Sequence, residues 1–113
     1  MTVLERYARL GEDGADVVRR FGSEAAAEHF MHRFTEDGSM AELRDAVQNG
    51  DADTAFRAAH TLKGISLNMG FVRLHRASDA LTEALRGGSL AQVPDLLAEL
   101  EREYARVMSV LGE

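Results

Sequence analysis

The chain is 113 residues long, about one domain's length, and sets 13 Lys and Arg against 19 Asp and Glu for a formal net charge of −6. That acidic balance argues against a nucleic-acid backbone or an anionic membrane as the main partner. The absence of cysteine removes disulfides, thiolate metal sites and cysteine nucleophiles, and fits a cytoplasmic setting. No apolar run approaches the ~18 residues that span a bilayer, and the opening Met-Thr-Val-Leu-Glu-Arg lacks the apolar stretch of a signal peptide. A single proline and no sustained apolar/polar alternation speak against a sheet; instead, apolar residues recur at three and four between glycines. A weak helical segment runs from Thr2 to Leu10, and a short one from Ala15 to Phe21 follows Gly11-Glu12-Asp13-Gly14. Ser23 caps a helix to about Thr35, with Ala26, Ala27, Phe30, Met31 and Phe34 as its core candidates. Ser39 opens another, Met40 to Val47, stopped by Asn49-Gly50. Asp51 or Asp53 caps the next, which reaches Met69 and is interrupted by Gly70; a helix from Val72 to Leu85 ends at Gly87-Gly88. The last runs from about Leu90 to Leu111, with Val93, Leu97, Leu100, Tyr104, Val107 and Leu111 on one stripe and Pro94 near its start. Five or six helices joined by short turns predict an all-α antiparallel bundle, with residues 1–113 as one domain.

The segment Asp53 to Met69 is the most informative. With Leu62 set at zero and each residue advancing 100°, Ala55, Ala58, Ala59, Leu62, Ile65, Ser66 and Met69 fall within about 60° of one direction, a core stripe rich in small residues. His60 falls at about 160°, nearly opposite, with Gly64 at about −160°, Leu67 at about 140°, Phe56 at about 120° and Lys63 at about 100°. The histidine is therefore expected to face solvent. Gly64, one turn on, lies in a helix interior where glycine costs about 1 kcal/mol relative to alanine, and it leaves room for a partner to reach the ring. Lys63 brings an ammonium near anything attached to that ring, while Phe56 and Leu67 put apolar surface beside it.

No serine, histidine and aspartate are spaced to assemble a triad on this helix. Imidazoles as a class titrate at roughly 6.5, so an accessible histidine is largely neutral at pH 7 and can attack a phosphoryl group directly. The resulting P–N bond transfers readily to a carboxylate, and such chemistry needs no pocket.

His60-Thr61-Leu62-Lys63-Gly64-Ile65-Ser66-Leu67-Asn68-Met69-Gly70 resembles the signature of histidine-containing phosphotransfer (HPt) domains, approximately His-x-Leu-Lys-Gly with a second glycine ten positions after the histidine. The likeness covers nearly the whole chain and is weakest over the first fifteen residues. It implies a four-helix bundle with additional short N-terminal helical segments. It implies further that His60 is the phosphoacceptor, that Lys63 helps hold the phosphoryl oxygens and that Gly64 clears space for a partner. The implied partners are a response-regulator receiver domain and a sensor or hybrid histidine kinase, docking through Phe56, Leu67 and Phe71. Mg²⁺ would sit on the receiver, with no metal or other cofactor on this chain, which would act as a monomer. Leu67 is bulkier than the family's usual residue there, and Ile65 is larger and expected on the buried side, where it affects packing.

Other readings stand beside these. His29 and His32, three apart, supply at most half of a metal site and read as surface histidines. His75 reads as structural or merely exposed, and Glu99, Glu101, Arg102 and Glu103 as a solvated face. The stripe of the last helix reads as core packing in preference to a coiled-coil seam. The chain has no Gly-rich phosphate loop or ATP site, so it is expected to be a phosphoryl carrier and no enzyme by itself. The alternative is an adaptor of the same fold that docks receivers or kinases without carrying phosphate; a small regulatory bundle outside signalling is a third.

Overall fold

Short turns set the topology. The computed structural model describes residues 1–113 and contains seven helices and no strands: α1 (Val3–Leu10), α2 (Gly14–Phe21), α3 (Glu24–Thr35), α4 (Ser39–Gln48), α5 (Ala52–Met69), α6 (Val72–Arg86) and α7 (Val93–Leu111). Side chains cap four of the starts: Thr2 and Glu5 form a reciprocal capping box, and Asp13, Ser23 and Asp51 accept from Asp16, Ala26 and Thr54 backbone N–H groups. The turns between α4 and α5 and between α5 and α6 are too short for anything but antiparallel neighbours.

Cross-helix contacts fix the order of the arms. Arg44 of α4 pairs with Glu101 of α7 at 2.5 Å, and Phe34 of α3 meets Tyr104 of α7 with ring centroids 6.1 Å apart. Moving backward from α4 into α3 is therefore moving forward along α7. The two shorter helices thus form one arm, broken at Glu36–Gly38, of an up-down-up-down bundle whose other arms are α5, α6 and α7. The core is continuous through all four arms and includes Leu43, Leu62, Leu74, Leu81, Leu100 and Val107. The expected all-α antiparallel bundle is the observed one.

The N-terminal helices close one end of it. Tyr7 is fully buried, stacks on Phe71 at 5.7 Å and donates its hydroxyl to the Met69 carbonyl at 2.5 Å, while burial pushes its phenol pKa upward. Glu12 accepts from the Val72 backbone N–H at the start of α6. Arg6 donates to the carbonyls of Val110 and Leu111 at the end of α7, and Arg106 of α7 returns a bond to Leu10 at the end of α1. Helix termini expose unpaired backbone groups, and here side chains of neighbouring helices satisfy them. Gly70 takes φ +72°, and a Cβ there would lie 2.5 Å from Val17 Cγ2, so only glycine fits the turn from α5 to α6 beneath α2.

Four expectations change, besides the helix count, which is seven where five or six were expected. Phe30 is exposed: it stacks on Phe21 at 4.9 Å along the rim of a groove between α2, α3 and α5, outside the core. Ile65 lines the same groove and is half-buried. The last helix begins at Val93, three residues later than Leu90, because Pro94 lacks the N–H that would bond the Leu90 carbonyl; as the second helical residue it leaves no bond unmade. Glu103 is buried, 6% exposed, not part of a solvated face. Arg73 of α6 donates to it at 2.7 Å and Arg106 at 3.1 Å. Burial alone would raise its carboxyl pKa, but these two hydrogen bonds outweigh burial and hold it below the ordinary range.

Candidate functional site

The close packing of α5 on α6 brings the second set of side chains to the histidine. Both helices carry small residues on their buried faces: Ala55, Ala58, Ala59 and Ser66 on α5, and Ala77, Ser78 and Thr82 on α6. Their hydroxyls bond back to their own helices, Ser66 to the Leu62 carbonyl at 2.7 Å, Ser78 to Leu74 at 2.8 Å and Thr82 to Ser78 at 2.7 Å. The polar atoms are thereby satisfied without spacing the helices apart.

His60 lies on the opposite, outward face of α5 and is exposed. Phe56, one turn before it and half-buried, lies parallel to the imidazole, with ring centroids 6.0 Å apart and planes 3° apart. Gly64, one turn after it, is exposed, and a Cβ built there meets nothing within 4 Å. No packing demand explains a glycine in mid-helix; the space beside the ring is open. Leu67, a turn further on, is 56% exposed and gives the face an apolar margin.

Lys63 does not reach out freely. Its ammonium pairs with Asp79 of α6 at 2.8 Å, with the lysine side chain 27% and the aspartate 45% exposed. The hydrogen bond from Lys63, seconded by its charge, holds the Asp79 carboxyl below the ordinary carboxylate range. Seven residues back along α5 and seven forward along α6, Arg86 lies over the Phe56 ring with its guanidinium carbon 5.3 Å from the centroid. Arg86 also holds Glu83 through two contacts, at 3.0 and 3.2 Å, and that hydrogen bonding lowers the Glu83 pKa. His60 thus lies between Lys63–Asp79 on one side and Phe56–Arg86–Glu83 on the other. His75 sits a turn before Asp79, its Nδ1 3.1 Å from the Lys63 carbonyl oxygen, which ties α6 to the backbone of α5.

His60, Lys63, Gly64, Phe56 and Leu67 therefore share one surface strip, while one candidate does not join it. Phe71 was expected to help dock a partner but is 1% exposed, wedged between Tyr7 and Phe34 where the chain turns from α5 into α6. It is a core residue because α1 and α3 cover that turn. His29 packs edge-on against Phe30, and His32 lies 3.4 Å from Glu36, so the two histidines engage different neighbours. No group of three or more potential metal ligands assembles in the chain. Asp79, Glu83 and Arg86 carry no signal of their own in the sequence: their relevance comes from the register of α6 against α5.

No helix is long and apolar enough to cross a membrane. No curated protein and no solved structure matches the chain. The family model for the Hpt domain matches residues 18–109, from the middle of α2 almost to the end of α7, and leaves α1 outside. Hpt domains are phosphocarrier modules of two-component phosphorelays and interact with receiver and kinase domains. The match spans the whole bundle and the strip around His60, and the chain belongs to the Hpt domain family.

Proposed function

We propose that His60 is the residue that carries the phosphoryl group, accepting it from a receiver aspartate or a kinase and passing it to another receiver aspartate. The carrying observation is the pairing of an exposed imidazole with open space one turn on, at a mid-helix glycine that no packing demand explains. A nucleophile that must be reached by another protein's acyl phosphate needs access more than a pocket. In the forward step the unprotonated ring nitrogen attacks phosphorus and a P–N bond forms. The P–O bond to the donor carboxylate breaks, and the electron pair leaves with that carboxylate. The reverse sequence of bonds delivers the group to the next aspartate.

The Phe56 ring lies parallel beside the imidazole, and Lys63 offers the phosphoryl oxygens a cation from the same helix. Leu67 and the edge of Phe56 give a receiver apolar surface to dock on. Mg²⁺ and the acidic residues that hold it belong, in this reading, to the receiver. The chain contributes no ATP site and acts as a monomeric carrier with no enzymatic turnover of its own, in the cytoplasm where receivers and kinase cores reside.

Incubation with a panel of receiver domains and kinases already charged with labelled phosphate tests the reading, with His60→Gln alongside. Acid-labile, base-stable label on wild type and none on the variant is the expected result. Label that persists on His60→Gln overturns it. Receivers captured equally by both proteins, with no label on either, would mark the chain as a docking adaptor.

A further inference from the structure

Both cations beside His60 already hold carboxylates: Lys63 is paired with Asp79 at 2.8 Å, and Arg86 with Glu83 at 3.0 Å. We propose that Asp79 is a positioning residue for phosphoryl transfer, an internal counter-ion that holds the Lys63 ammonium while His60 is bare and yields it when His60 is phosphorylated. The proposal deepens the reading of His60 as phosphoacceptor and rests on it.

The argument is one of competition. A phosphoryl group on the imidazole brings between one and two negative charges and three acceptor oxygens to the strip. Lys63 is one turn from His60 on the same helix, so those oxygens and Asp79 compete for its three ammonium donors. The exchange is cheap, because a half-exposed pair is worth little in water. It is not free, since the phosphorylated state weakens an ion pair that the bare state keeps. The register that sets Asp79 beside Lys63 is held by the close packing of α5 on α6 and by the His75 contact to the Lys63 carbonyl, so Asp79 remains poised to take the lysine back. The lowered Asp79 pKa agrees with a carboxylate that stays ionised in this role. The consequence is a carrier tuned to let go. Phospho-His60 is held less firmly than an unencumbered lysine would hold it, which favours onward transfer.

The test uses phosphoramidate with ammonium at a fixed ratio. The donor's P–N bond breaks as the His60 P–N bond forms, and ammonia leaves with a proton. The ratio of phosphorylated to free His60, read by ³¹P NMR, reports the balance directly. Asp79→Asn is expected to raise this ratio about two- to fivefold over wild type. Asp79→Glu should restore it towards wild type. In a Lys63→Ala background the gain from Asp79→Asn should fall by at least half, which a merely structural role for Asp79 would not produce. An unchanged or lowered ratio in Asp79→Asn, or an equal gain without Lys63, overturns the proposal. Absence of phosphohistidine in wild type while free imidazole is phosphorylated, or its persistence in His60→Gln, overturns the reading of His60 itself, and the proposal falls with it.

Discussion

Helix α5 holds one glycine, Gly64, and is ended by another six residues on, and the two answer to opposite demands. Gly70 ends the helix in a left-handed conformation, pressed against Val17, within a closure where Tyr7 holds the Met69 carbonyl and Glu12 the Val72 N–H. Gly64 sits in mid-helix with open space around the position of a Cβ. One end of the bundle holds a glycine that its contacts require, whereas the strip around His60 keeps one that no contact requires. A glycine that structure does not need, beside an exposed histidine, points to access for a partner.

Substitutions at the two ends should separate sharply. Gly70→Ala forces a left-handed alanine and a clash with Val17, and should cost about 2–4 kcal/mol in chemical denaturation. Tyr7→Phe removes the donor to the buried Met69 carbonyl and should cost about 1–3 kcal/mol, with phosphoryl acceptance by the folded fraction unchanged. Gly64→Ala should do the reverse, raising stability by about 0.5–1 kcal/mol while slowing transfer from a receiver. A bulkier Gly64→Gln should slow transfer further without unfolding the bundle. Loss of stability in Gly64→Ala would remove the contrast between the two glycines.

The smallest effect expected is a dependence on pH. Glu103 has a folded pKa below its ordinary value, so its contribution to stability is present above the unfolded pKa of about 4.3 and is lost as pH falls through the folded value. Wild type should therefore lose stability on acidification below about pH 5 more steeply than Glu103→Gln. Parallel melting curves for the two proteins across that range would remove Glu103 from the account.

The helices and the surface strip around His60 were legible in the sequence because both depend on periodicity within one segment. The stripe of Ala55, Ala58, Ala59, Leu62, Ser66 and Met69 is buried as its spacing predicts, and the opposite face carries His60, Gly64 and Leu67. What the sequence left dark depends on which helices meet. Phe71 sits just past a helix end, where no wheel applies, and is buried because α1 folds back over it. Glu103 lies among charged residues, yet the approach of α6 buries it and pairs it with Arg73, which stays exposed. Asp79 and Arg86 reach the histidine strip only through the antiparallel register of α5 and α6.

The most direct measurement is the location of the phosphate. Wild-type protein phosphorylated by a charged receiver, digested under alkaline conditions and read by mass spectrometry should carry the group on His60 alone. Phosphate on His29, His32 or His75 instead, or undiminished labelling of His60→Gln, would contradict the account.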